Sequence, residues 1–163
     1  MEKIMKRTNR KTSKVIKILS EVYWAEIGAV GIYMDQHVKC ESMGYKKLAD
    51  MLEKDAIDEM KHSETLAERI LFLDGTVINE KHMVPTEKQH EILDMLKQNI
   101  EIEDEAIDRL NSGISTCFSA GDNGSRLILE EILKSEEEHL DKLKTIYENI
   151  QKFGDQFIVT HLI

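Results

Sequence analysis

Glutamate interrupts the apolar stripe of this chain four times, at spacings that repeat. Glu59 and Glu136 each open a Glu-x-x-His motif, closed by His62 and His139. Each motif follows another glutamate by the same interval, 59 − 26 = 33 and 136 − 103 = 33. One offset maps the halves onto each other: 103 − 26, 136 − 59 and 139 − 62 are all 77. Residues three and four apart share a helix face, and the acids fall in rows that are otherwise apolar. The rows run Leu19, Val22, Glu26, Val30, Tyr33; then Leu48, Leu52, Asp55, Glu59, His62, Leu66, Ile70, Leu73. The later pair runs Ile92, Leu96, Asn99, Glu103, Ala106, Leu110, and Leu129, Ile132, Glu136, His139, Leu143, Ile150. Two related helical hairpins with acids at mid-seam account for the pattern.

Composition agrees with helices. One proline and eight glycines are too few for a turn-rich β protein, and Leu, Ile, Met, Glu and Lys favour long helices. Periodicity places helices near residues 13–43, 46–74, 87–113 and 124–151. Gly44 and "GISTCFSAGDNG" divide the members of each pair, "DGTVINEKHMVPTE" is a longer connection, and Thr86 after Pro85 is an expected N-cap. Short links within pairs and a long crossover between helices 2 and 3 describe an all-α, ferritin-like four-helix bundle. The length suits one domain that buries roughly 70% of its extended surface. That domain is expected over residues 13–163, after a basic tail, 1–12.

The net charge of −9 argues against a nucleic-acid-binding body and for cations as partners. The first 17 residues are the exception, with Lys3, Lys6, Arg7, Arg10, Lys11, Lys14 and Lys17 against Glu2 alone; such a charge run is usually a solvated face. No apolar run is long enough for a membrane span, and no export signal is evident. Cys40 and Cys117 lack CxxC spacing and read as packing thiols of a reduced compartment. A cytoplasmic location is expected.

A single Glu-x-x-His in an acidic helical protein fits surface solvation. Four carboxylates in one core do not, because an uncompensated buried charge costs several kcal/mol or is neutralised. They need cations. A glutamate from each of two helices with a Glu-x-x-His from each of the other two is a di-iron or di-manganese carboxylate arrangement. The carboxylates supply hard oxygen donors, the histidines one nitrogen each, and positions stay open for an oxidant. Structural zinc would use fewer ligands, often with cysteine, so iron is the expected metal.

From "EVYWAEIGAVGIY" to "IQKFGDQF" the chain resembles bacterioferritins, most specifically in "DAIDEMKHSETLAERILFLDG", residues 55–75, and "EILKSEEEHLDKL", residues 131–143. The resemblance implies a ferroxidase site made of Glu26, Glu59, His62, Glu103, Glu136 and His139. Glu59 and Glu136 would bridge; Glu26 with His62, and Glu103 with His139, would be terminal. It implies oxidation of Fe(II) by O2 or hydrogen peroxide and storage of Fe(III) mineral in a hollow homo-oligomeric cage of 24 subunits built from two-fold dimers. It also implies that Met60 binds haem iron axially, one methionine from each subunit of a pair, in a b-type haem that admits electrons from a donor protein for iron release. On its own, Met60 is a flexible apolar side chain suited to an interface.

Ile27, Val30, Gly31 and Met34 are the expected haem neighbours, although Gly31 and Met34 depart from the asparagine and aromatic residue of familiar members. Lys54 stands where some members have a histidine that, with an aspartate at the Asp58 position, binds iron at the inner surface; a protonated lysine is a poor ligand. Tyr33 suits a hydrogen bond to a ligating carboxylate or electron donation, and equally a packed core position. Asp55 and Asn99 are expected to orient ligands. His37, His82, His90 and His161 lack partners at ligand spacing. "FGDQFIVTHLI" resembles the short fifth C-terminal helix that surrounds the four-fold pores, or else is an amphipathic tail tucked against its own bundle.

Three other functions compete. A rubrerythrin-like di-iron peroxidase uses a similar bundle but commonly adds a four-cysteine iron module, which two cysteines cannot build. DNA protection through the basic tail is the binding-class reading, and a non-catalytic haem or metal carrier is the last.

Overall fold

Contacts between helix ends determine how the chain is threaded. The computed structural model describes residues 2–77 and 91–163, with side chains from residue 11 onward. Five helices carry them: α1 (Glu2–Met43), α2 (Lys46–Phe72), α3 (Ile92–Ala120), α4 (Asn123–Phe153) and α5 (Asp155–His161). No strand occurs among the described residues. The fold is all-α, a four-helix bundle with a short C-terminal helix. Thr86, His82 and His90 lie outside the described residues.

Lys11 meets Ser119, Tyr33 meets Glu103, and Gln36 meets Asn99, so α1 and α3 run antiparallel. Glu26 beside His62 and His37 beside Ala49 make α1 and α2 antiparallel too. Helices α2 and α3 are therefore parallel. The 27 residues of α2 span about 40 Å at 1.5 Å per residue, and the connection must return that distance. A long crossover is the geometric consequence.

Three helix boundaries differ from expectation, one being the start of α3 at Ile92, after an extended Glu91. Helix α1 begins at Glu2 rather than near residue 13, so the basic segment is continuous with it from that point. Lys11 supplies a local reason: its ammonium donates to the carbonyls of Ser119 (3.5 Å) and Ala120 (3.4 Å), where the end of α3 leaves unpaired acceptors at the negative pole of its dipole. Helix α3 passes through "GISTCFSA" and stops only at Gly121, whose φ of 79° takes the left-handed conformation that closes a helix. Gly113, read as a breaker, is instead buried against α4 and α1. A Cβ there would stand 2.9 Å from Leu129 Cδ1 and 3.2 Å from Ile18 Cγ1.

Asp122 then caps α4, accepting the Ser125 N–H at 3.0 Å and the Arg69 guanidinium at 2.6 Å, which ties the end of α2 to the start of α4. At the other end, Leu162 is buried and its carbonyl accepts the N–H groups of Lys47 (3.1 Å) and Leu48 (3.4 Å). The segment after α5 thus folds back on α2, while Phe153, Val159 and Ile163 stay exposed.

The core is two apolar clusters. One holds Val15, Leu19, Val22, Leu66, Ile70, Leu110, Leu129 and Ile132; the other holds Ile32, Leu52, Leu96, Leu143, Ile150 and Leu162. Cys40 and Cys117 are free thiols in different clusters, each pushed up to about 11 by burial. Between the clusters lies the acidic layer.

Candidate metal centre

Six side chains from four helices converge at mid-bundle. Helix α1 supplies Glu26, α2 Glu59 and His62, α3 Glu103, and α4 Glu136 and His139; all are buried except the half-buried His62. They form two overlapping groups: Glu26, Glu59, His62 and Glu136, and Glu59, Glu103, Glu136 and His139. Within each, one ligand-type atom per residue lies within 4.8 Å of every other. Glu59 and Glu136 belong to both. Three carboxylates with one imidazole per group are hard oxygens and a borderline nitrogen, a donor set suited to Fe(II), Mn(II) or Co(II).

Both histidines turn Nδ1 inward. His62 Nδ1 lies 3.2 Å from Glu26 Oε2, 3.1 Å from Glu59 Oε2 and 3.0 Å from Glu136 Oε1. His139 Nδ1 lies 3.1 Å from Glu136 Oε2, 3.3 Å from Glu59 Oε1 and 3.8 Å from Glu103 Oε1. Three-residue spacing explains the contact inside each motif; packing supplies the others. One N–H cannot serve three oxygens, and Glu59 Oε1 and Glu136 Oε1 are left buried without a hydrogen bond of acceptable geometry. A buried orphan acceptor costs about 1–3 kcal/mol, more when charged. A cation between the two groups would satisfy both atoms, so the residues fit a metal pair.

Electrostatics divide the six into charged and neutral sets. Burial opposes both imidazolium ions, but Glu136, Glu26 and Glu59 outweigh it and push His62 up to about 12, while Glu136, Glu59 and Asp55 push His139 up to about 10. Burial likewise opposes the charge on Glu59, yet hydrogen bonds from His139 and His62 hold it down to about 2. Glu136 is lowered against burial by the same histidines. Burial raises Glu26 well above the carboxylate range; burial with the charges of Glu136 and Glu59 raises Glu103 to about 10. Two imidazolium ions thus balance the two shared carboxylates, and Glu103 keeps its proton at neutral pH.

Access is from between α1 and α3. A cavity of about 330 Å³ runs there, with Ala25, Gly28, Ala29 and Ala106 among its walls and Glu26, Glu59, Glu103 and Glu136 also lining it. The small alanine and glycine residues leave the space beside the carboxylates unfilled. Glu21, Glu105, Arg109 and Trp24 line it as well; periodicity did not mark these four, since they lie off the apolar rows.

Other expected residues take more varied places. The Tyr33 hydroxyl donates to Glu103 Oε1, and burial, then Glu103, raises its own pKa well above the usual value. Asn99 touches no member of the cluster through its amide hydrogen bonds. It is engaged reciprocally with Gln36 at 2.9 and 2.7 Å, so it fastens α3 to α1 and does not orient a ligand. Asp55 Oδ1 is 3.7 Å from His139 Nε2 and 3.4 Å from Lys142 Nζ. Lys142 was missed, although its place three residues after His139 puts it on that face. Asp58 pairs with Lys61 at 2.9 Å and Lys54 is exposed. His37 Nδ1 lies 2.9 Å from the Ala49 carbonyl oxygen, and His161 stacks on Phe157; neither joins the metal-type groups. Met60 is 55% exposed, and Ile27, Met34 and Ile57 are exposed with it. A Cβ on Gly31 would meet nothing within 4 Å. Glu26 opposite His62 sets Ile27 and Met60 at one level, so α1 and α2 present an apolar outer face with a thioether in it. That face and donor fit a haem edge and its axial ligand.

Known proteins resemble this chain over most of its length. The ferritin-like domain model matches residues 16–153. The bacterioferritin of Streptomyces coelicolor is 35% identical over 151 residues, 92% of this chain and 89% of that protein. The bacterioferritin of Desulfovibrio desulfuricans is 31% identical over 93% of this chain and 84% of its own length. The bacterioferritin of Mycobacterium bovis is 30% identical over 87% and 89%. With a match over most of its length and over most of each relative, this chain belongs to the bacterioferritins, within the ferritin-like proteins.

Proposed function

We propose that the chain is an iron-storage ferroxidase. The carrying observation is that Glu59 and Glu136 are shared by two groups of metal-type donors and each leaves a buried oxygen unsatisfied. Two Fe(II) ions are the substrate, one held by Glu26 and His62, the other by Glu103 and His139, with Glu59 and Glu136 between them. Each Fe(II) gives one electron, and the two electrons with two protons reduce O2 to hydrogen peroxide, or hydrogen peroxide to two waters. The protein's part is to exchange protons for cations, keep the ions adjacent, and leave the α1–α3 cavity open to the oxidant. Tyr33, bonded to Glu103, steadies that carboxylate. Fe(III) then passes to a mineral inside a homo-oligomeric cage, which by family likeness has 24 subunits in two-fold pairs and a cytoplasmic location. No helix among the described residues is long and apolar enough to cross a membrane.

Met60 from each of two paired subunits would hold a b-type haem against Ile27, Gly31 and Met34. That haem would supply electron transfer from a donor protein for reduction and release of the mineral.

Aerobic Fe(II) titration of the metal-free protein, following ferric absorbance and soluble iron, tests the reading. Soluble uptake far beyond two ions per chain is expected. Saturation at two, with further iron precipitating, would replace storage by a rubrerythrin-like di-iron peroxidase.

A further inference from the structure

Among the described residues, Asp55 is the buried carboxylate that belongs to neither group of donors. It lies one turn before Glu59 on α2, and its Oδ1 faces two nitrogens of α4: Lys142 Nζ at 3.4 Å and His139 Nε2 at 3.7 Å. His139 is thus addressed at both ring nitrogens, by the cluster at Nδ1 and by Asp55 at Nε2. His62 differs. Among the described residues its ion pairs all run through Nδ1, and its side chain is 14% exposed against 4% for His139.

We propose that the Asp55–Lys142 pair is a positioning device for His139, which makes the Glu103/His139 place the tighter of two unequal metal positions and leaves Glu26/His62 as the exchanging one. The proposal rests on reading the six residues as a two-metal site. At 3.7 Å Asp55 Oδ1 stands just beyond hydrogen-bond length from Nε2, and a carboxylate on that side of the ring orients it and favours the tautomer whose proton is at Nε2, which leaves the Nδ1 lone pair for the metal. A buried aspartate without a partner would be costly and mobile; Lys142, with 42% of its side chain exposed, anchors Asp55 from the bundle surface. Among the described residues Lys142 pairs with Asp55 and with no cluster atom, so it acts through Asp55.

Anaerobic Co(II) titration of the metal-free full-length protein, read by visible absorption, tests this in two backgrounds. His62→Ala leaves the Glu103/His139 position for study, and His139→Ala leaves the other. Adding Asp55→Asn is expected to weaken Co(II) binding by roughly 10–100-fold in the first background and to leave it unchanged in the second. Lys142→Met should weaken the first background in the same direction by less. This surface change also keeps the test alive if Asp55→Asn fails to fold. Equal weakening in both backgrounds, or none in either, overturns the proposal while the ferroxidase reading stands. An unmodified protein that takes up fewer than two Co(II) per chain removes the two-metal reading, and the positioning role with it.

Discussion

His62 Nδ1 on α2 lies 3.0 Å from Glu136 Oε1 on α4, closer than to the glutamate of its own motif at 3.1 Å. The two Glu-x-x-His motifs are therefore interlocked across the bundle and not two independent half-sites. That relationship, with the matching contact of His139 to Glu59 at 3.3 Å, underlies the charge state of the metal-free core.

Metal loading should release at least three protons per pair of divalent ions near neutral pH, one each from Glu103, His62 and His139, because those three are held protonated. The exchange offsets most of the four positive charges that enter. Anaerobic Co(II) addition in weak buffer, with the released acid titrated back, measures it. Release near two would mean that the histidines are neutral before loading.

The stability of the metal-free protein should fall as pH rises from about 6 to about 9. His62 (about 12), His139 (about 10) and Glu103 (about 10) have folded values above their unfolded ones. Their contribution is complete below the unfolded values and is lost as pH climbs toward the folded ones. Glu59, lowered to about 2, has the opposite sign: its contribution is present above the ordinary carboxylate range and disappears as pH falls through about 2. Thermal unfolding of chelator-stripped protein across this range is the measurement, and a melting point that rises with pH would contradict it.

Shared and terminal carboxylates should fail differently. Glu136→Ala removes a donor common to both groups and should abolish both Co(II) positions, whereas Glu26→Ala should leave about one ion per chain, since Glu26 belongs to one group. Equal losses from the two substitutions would show that the carboxylates are not divided into shared and terminal donors.

Gly113→Val should lower the melting point by overpacking, at a cost of about 1–3 kcal/mol, because its side chain has to enter space already bounded by Leu129 and Ile18. Gly31→Ala, where a Cβ meets nothing, is the control and should not destabilise by that route.

Met60→Leu should abolish a bis-thioether haem spectrum and leave Fe(II) oxidation intact, since Met60 is exposed on the outer face while Glu59 beside it points inward. An unchanged spectrum would move the haem ligand elsewhere.

Sequence alone determined the helices' existence, the crossover and the six cluster residues, because helical periodicity is local. Spacings of three and four put residues on one face whatever surrounds them, and acids in an apolar row are visible without coordinates. The 33-residue and 77-residue intervals added that the faces meet. Tertiary structure decided what depends on atoms from different helices. Gly113 and the serines after it favour a turn locally, yet α3 continues to Ala120 because that glycine is used for close packing on Leu129 and Ile18. Asn99 occupies a seam position like Asp55, but Gln36 claims its amide while Asp55 faces His139. Nor can spacing reveal which carboxylates keep their protons. Burial and the reach of two histidines across the bundle set that, and both exist only once four helices are packed together.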